Sequence, residues 1–178
     1  SDGPHFRFYT NLHENLSTAI SWTRARYKKS DQADLHLVIS HAKRRAINTR
    51  IQGLFAQGRL GVAVPRQAEP GYMCVAGTQL VGSCSGRGFV NGAFYQVQEV
   101  GETIKILDKL TEQVIETTVE LLAKHTCLAW AVVYNRAQGL TIKDQTVCLH
   151  DFQSPYFRRP HLYVGLSRVT RGEDIRWA

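Results

Sequence analysis

Leu128-Ala-Trp-Ala-Val-Val-Tyr-Asn-Arg-Ala-Gln-Gly-Leu-Thr141 joins a near-continuous apolar run to a polar segment containing glycine. An apolar run such as Leu128–Val133 suits a strand covered on both faces, as in the parallel sheets of α/β domains. The segment after it would leave the carboxyl end of that strand, where backbone N–H groups can approach a phosphate. Gly139 permits the close approach, and the Gln138 amide is suited to orienting a water or a phosphate oxygen. Taken alone, the segment reads equally well as a plain strand-to-helix turn.

Working outward, Leu35-His-Leu-Val-Ile39 reads as a second buried strand, running through Ser40-His41 into a helix over about 42–57. That helix places Ala46, Ile47, Ile51, Leu54 and Phe55 on one face. Strand, short turn and helix open a parallel α/β unit. An earlier helix is expected over 12–27, with Asn11 as its N-cap. From Gly58 the texture changes to short apolar runs punctuated by Gly and Pro. Strands are expected over 78–83, 93–100, 103–107 and 114–122, and Asn91-Gly92 marks a tight turn. After the run 128–133, residues 145–149 read as another buried strand, 161–170 as a helix, and 174–177 as a closing edge strand. The expected fold class is α/β: a parallel sheet over 1–60 and 123–178, flanked by helices, with a small β-barrel inserted over 61–122.

Composition bounds the function. The 178 residues are 43% hydrophobic and 21% charged, enough to bury a core without disulfides. No apolar run approaches the roughly 20 residues needed to cross a bilayer, so no membrane partner is expected. Cys74, Cys84, Cys127 and Cys148 form no CxxC pair and have no histidine at ligand spacing, so no metal site is expected. Reduced cysteines of this kind fit an intracellular protein, and the chain is expected to be monomeric. The net charge of +7 is uneven. Arg24, Arg26, Lys28, Lys29, Lys43, Arg44, Arg45 and Arg50 crowd one early segment, while Arg158, Arg159, Arg168 and Arg171 form a later group. Clustered positive charge fits a polyanion partner, although a solvated basic face explains it equally well on charge alone.

The second informative segment is Leu162-Tyr-Val-Gly-Leu-Ser-Arg-Val-Thr-Arg171. As a helix, it would set Arg168 and Arg171 one turn apart, an arrangement suited to holding a phosphate through several donors. Either arginine taken singly reads as a surface residue. The order of strand, xxxxQGxT, strand and then YVGLSR about twenty residues later resembles motifs V and VI of superfamily 1 DNA helicases, especially the RecD-like, 5′-to-3′ branch. That family typically shows T-V-H-K-x-Q-G-x-T and then Y-V-A-L-S-R-A. This chain has Val133-Tyr-Asn-Arg-Ala-Gln-Gly-Leu-Thr141 and Tyr163-Val-Gly-Leu-Ser-Arg-Val169. Leu37-Val-Ile-Ser-His-Ala42, with Ile47-Asn48 beyond it, is similar to the motif IV region. The Gly-rich part around Val90-Asn91-Gly92 is similar to the small Src-homology-type barrel inserted between motifs IV and V.

The resemblance implies a second, RecA-like motor domain that binds ATP with Mg²⁺, both held mainly by an N-terminal RecA-like domain of the same polypeptide. It implies Arg168 as the arginine finger, with Gln138 beside it as the other catalytic residue. Gly139, Thr141 and Arg171 would complete the nucleotide contacts. Single-stranded DNA would meet Ser40, His41, Asn135, Arg136 and Asn91, in the service of DNA replication and repair. Val133 stands where the family has threonine and Asn135 where it has histidine, so a hydroxyl contact and a stacking ring are absent. Gly77-Thr-Gln-Leu-Val-Gly82-Ser83 only superficially suggests a phosphate loop, because no lysine follows its second glycine. The chain alone is therefore expected to hydrolyse no ATP. The alternative reading is a non-catalytic nucleic-acid-binding module. It accounts for the basic clusters but not for the motif order. A protein-interaction domain accounts for neither.

Overall fold

Asn15 begins the first described helix: its side chain accepts from the Thr18 N–H at 3.1 Å, and α1 runs Leu16–Arg26. The computed structural model describes residues 15–138, 142 and 144–178, so the expected cap Asn11 lies outside them. In chain order there follow β1 (Lys28–Lys29), β2 (Leu35–Val38), α2 (His41–Ala56), β3 (Gly61–Val64), β4 (Tyr72–Val75) and β5 (Gln79–Gly82). Next come β6 (Phe94–Val100), β7 (Ile104–Asp108), β8 (Val114–Thr117), α3 (Val119–His125) and β9 (Thr126–Leu128). The chain continues with β10 (Ala131–Val133), α4 (Tyr134–Ala137), β11 (Val147–Leu149), α5 (Arg159–Ser167), a 3-10 turn (Gly172–Asp174) and β12 (Ile175–Trp177).

These elements form two compact units, one of the described residues up to Arg44 with Ala131–Ala178, the other of Arg45–Trp130. The first is an α/β unit. Its parallel sheet has five strands in the order β1-β12-β11-β2-β10. Leu35, Leu37, Val38, Ala131, Val132, Val147 and Leu149 are all buried, as strands covered on both faces require. β12 is not the expected edge: it lies between β11 and β1, where Lys28 and Lys29 pair with Arg176 and Trp177. A strand of two exposed lysines carries no apolar signal, which is why the sequence pattern passes over it.

The second unit is antiparallel, with a five-stranded sheet ordered β8-β7-β6-β5-β9 and a separate β3-β4 pair. No β8–β9 pairing closes the sheet among the described residues. Its core gathers Val64, Cys74, Leu80, Phe89, Tyr95, Val97, Ile104, Ile106, Leu122 and Leu128. Two expectations change here. The strand expected over 114–122 ends at Thr117, because Thr118 caps α3 by accepting from the Leu121 N–H at 3.3 Å. The apolar run 128–133 is also not one strand: Leu128 ends β9 in the antiparallel sheet, and Ala131 starts β10 in the parallel one. The Asn91-Gly92 turn is present, with Ala93 N–H donating to Val90 O at 3.1 Å and Gly92 at φ 87°. It packs so closely on β5 that a Cβ at Gly82 would lie 2.0 Å from the Val90 carbonyl.

Candidate nucleotide and nucleic-acid site

α4 is a single turn that starts directly at the end of β10. Tyr134 is almost fully buried, its hydroxyl donates to the His150 carbonyl at 2.7 Å, and burial holds the phenol protonated. Its ring meets Phe157 at 5.7 Å and His161 at 5.4 Å, which seats α4 against α5. Beyond the turn, Ile142 N–H donates to Arg168 O at 2.7 Å, and Thr170 N–H donates back to Ile142 O at 3.4 Å. The segment following Gln138 and the segment holding Arg168 are therefore bonded backbone to backbone. Gln138 itself is exposed at the C-cap of α4, while Gly139 and Thr141 lie outside the described residues.

Arg168 closes α5 as its C-cap, at φ −87° and ψ −16°. The helix expected to reach residue 170 stops at Ser167, because Val169 is drawn into a parallel bridge with Ile142. Arg168 and Arg171 therefore share no helical face. Arg171 is extended and forms ion pairs with Glu173 and, at 3.7 Å, with Asp174. Arg168 is instead preceded in the chain by a second polar side chain, Ser167. The Arg168 Nε and the Ser167 hydroxyl are both buried and have no hydrogen-bond partner among the described residues. Buried donors are nearly always satisfied, so an unpartnered guanidinium N–H on a segment bridged to Ile142 fits an oxyanion such as a nucleotide phosphate.

Ser40 caps α2, its hydroxyl accepting from the Lys43 N–H at 3.1 Å, and His41 accepts through Nδ1 from Arg44 Nε at 3.2 Å. Both Ser40 and His41 are exposed. Asp151, which no sequence motif marks, organises this corner. At φ 73° its carboxylate accepts from the Ile39 N–H at 2.9 Å and from Lys43 Nζ at 2.7 Å. Asn135 is exposed and Arg136 half-buried on α4. Asn91 is exposed in the second unit, its N–H donating to Ser85 Oγ at 3.0 Å. Asn48 is a structural residue: it is buried, and its amide donates to the Leu128 carbonyl at 3.1 Å. The early basic cluster is partly packed away, since Arg24 lies over the Phe152 and Trp177 rings at 5.8 and 5.4 Å and Arg26 over Trp22 at 5.3 Å.

Sequence spacing also passed over a buried trio, His36, Cys148 and His150. Their potential ligand atoms all lie within 4.8 Å of one another. His36 and Cys148 are register partners on adjacent parallel strands, and His150 follows two residues after Cys148. Burial, with Lys43 and His36 adding to it, pushes His150 down to about 4, while burial pushes the Cys148 thiol up to about 12. His125, two residues before Cys127, belongs to the second unit. Its Nδ1 lies 3.0 Å from the Cys84 carbonyl and its ring stacks on Phe89.

No protein-family sequence model matches the chain. Over 48 residues it is 48% identical to the ATP-dependent DNA helicase PIF5 of Trypanosoma brucei brucei, a stretch covering 27% of this chain and 5% of that protein. Its fold is similar to a Pif1 helicase solved in work on DNA unwinding at forked double-stranded DNA, with a TM-score of 0.67 at 19% identity. That match covers 98% of this chain and 46% of the other. It is also similar to Bacteroides Pif1 bound to single-stranded DNA, with a TM-score of 0.64 at 18% identity over 98% of this chain and 48% of that one. The Candida albicans Pif1 helicase gives a TM-score of 0.62 at 15% identity, over 96% and 52%. The chain thus spans about half the length of these solved helicases and a small part of the curated relative.

Proposed function

We propose that this chain is the second, RecA-like motor domain of a Pif1-type superfamily 1 DNA helicase that translocates 5′ to 3′. The observation that carries the reading is the Arg168 Nε, buried without a partner among the described residues, on a residue whose carbonyl accepts from the Ile142 N–H shortly after Gln138. In this reading ATP lies mainly on an N-terminal RecA-like domain of the same polypeptide, which also holds the Mg²⁺. Arg168 reaches the terminal phosphate, where a fixed positive charge stabilises the transferring group. Gln138, Gly139 and Thr141 are assigned to the same cleft from their places in the motif alone. Arg171, paired with Glu173 and Asp174, would add its nucleotide contact from beyond the helix rather than from a face shared with Arg168.

Single-stranded DNA is gripped by phosphate contacts from Ser40 and His41 at the start of α2 and from Asn135 and Arg136 on α4. The Asn91 turn of the inserted unit shapes the path of the strand. Ser40 can serve twice, since its oxygen accepts from Lys43 N–H while its own proton stays free to donate. Such contacts position the strand without reading its sequence, as a translocating motor requires. The protein then acts where DNA is replicated or repaired.

The test uses a protein in which this chain is joined to its first motor domain, with and without Arg168→Ala. DNA-stimulated ATP hydrolysis is expected to fall by roughly a thousandfold or more while single-stranded DNA binding survives. Undiminished turnover would remove Arg168 from the site and leave a nucleic-acid-binding module as the better reading.

A further inference from the structure

We propose that His36, Cys148 and His150 form a binding site for a single borderline-soft divalent cation of the zinc class, pinning β2 to β11 in the parallel sheet. The site is built by sheet register. Cys148 is the direct partner of His36 across two parallel strands, and His150, just past the end of β11 with its N–H donating to Leu37 O at 3.0 Å, comes back to the same place. His36 Nδ1 and His150 Nε2 already lie 2.8 Å apart, with the Cys148 sulfur inside the same 4.8 Å. All three side chains are buried, at 1%, 0% and 7% exposure. Two imidazoles and a thiol are the donor set that zinc-class ions take.

Tetrahedral bonds of about 2.0–2.3 Å place donor atoms roughly 3.3–3.6 Å apart, so the histidine contact must open by about half an ångström. The Cys148 thiol now donates to the Ser30 carbonyl at 3.2 Å. On metal binding the S–H bond breaks, the sulfur bonds the cation as thiolate, and one proton leaves to solvent. Whichever imidazole holds the shared proton moves it to its other ring nitrogen, so both ligands stay neutral. The fourth position is left to the Ser30 carbonyl or a water. Asp31 and Asp151 supply negative charge around the trio and Lys43 and Arg176 positive charge. The added thiolate brings the local balance to one that accepts a divalent ion. The role is structural. His36 and Cys148 sit within β2 and β11, the strands that lead into Ser40 and Asp151, and the His150 carbonyl already anchors Tyr134.

The test is a titration of the purified 178-residue chain, stripped with chelator, first with Co²⁺ and then with Zn²⁺. One equivalent of Co²⁺ is expected to give the near-ultraviolet band of a sulfur-to-cobalt bond, to be displaced by Zn²⁺ and to release one proton. Zn²⁺ is expected to raise the melting temperature, and chelator to reverse the rise. Cys148→Ser should abolish the band. His150→Gln should weaken binding by more than the roughly 10- to 100-fold that loss of an outer partner costs. Because Cys148→Ser could perturb folding, Cys84→Ser is run beside it and is expected to leave the band intact. A wild-type chain that takes up no stoichiometric metal, or a band that survives Cys148→Ser, overturns the site. Neither result touches the motor-domain reading, which rests on other residues.

Discussion

Arg168 and the His36–Cys148–His150 trio mark the two extremes of what single residues reveal in this chain. Arg168 sits inside a contiguous pattern, Tyr163-Val-Gly-Leu-Ser-Arg-Val169, so its candidacy was legible from sequence, although its release from the helix was not. The trio joins positions more than a hundred residues apart, His36 to His150 at a separation of 114, and no spacing rule reaches across that distance. Gln52 is a third case. The apolar period on α2 pointed to Ala46, Ile47, Ile51, Leu54 and Phe55, yet Ala46 and Leu54 are exposed, and Ile47 shares the buried face with Asn48 and Gln52. A hydrophobicity pattern cannot find residues that are buried for their hydrogen bonds. The Gln52 amide donates to Met73 O at 2.7 Å and to Thr78 Oγ1 at 3.0 Å, and its oxygen accepts from Trp130 Nε1 at 2.8 Å. Gln52→Leu would keep the volume and strand the indole N–H and a carbonyl. The expected cost is roughly 1–3 kcal/mol, read from urea unfolding of the two proteins. A loss below a few tenths would mean that water replaces the amide.

At the scale of elements, strand and helix types were mostly readable while their ends were not. The run 128–133 looks continuous because both sheets want apolar residues, and nothing local says that Leu128 and Ala131 belong to different ones. The helix α5 shows how an end is fixed by one side chain. Its N-cap residue Arg158 gives its N–H to His161 Nδ1 at 2.9 Å, so the cap needs a neutral imidazole. Burial, and then the Arg158 charge, lower the His161 pKa below its ordinary 6.5. On acidification the unfolded chain takes up this proton before the folded one does. The stability it contributes is whole above pH 6.5 and is lost as pH falls through the folded-state value. Denaturant melts at pH 7 and pH 5 should therefore show a larger loss for the wild-type chain than for His161→Asn, whose side-chain oxygen can accept from Arg158 without titrating. Equal losses would show that His161 is not what makes this helix start sensitive to pH.

At the scale of the whole molecule, a parallel sheet with strand-end loops sits in one unit, while the second is antiparallel and supplies no loop of the phosphate-binding kind. Of the machinery that phosphoryl transfer needs, this chain is assigned, on the proposed motor-domain reading, the arginine, Arg168, and the polar segment that follows β10. It lacks the lysine that would follow Gly82 in a phosphate loop, where Ser83 stands instead. Charge neutralisation at the transferring group requires both halves at once, since neither a lone arginine nor a lone cradle fixes the nucleotide in line with water. The purified 178-residue chain is thus expected to show no ATP turnover above the uncatalysed background, with or without single-stranded DNA, in a steady-state phosphate-release assay. Contaminating hydrolase is separated from true activity by running Arg168→Ala through the same purification. Turnover that persists in both preparations belongs to a contaminant. Turnover present in the wild-type chain and lost in Arg168→Ala would mean that this one domain assembles a complete site, and the division of labour proposed for it would be wrong.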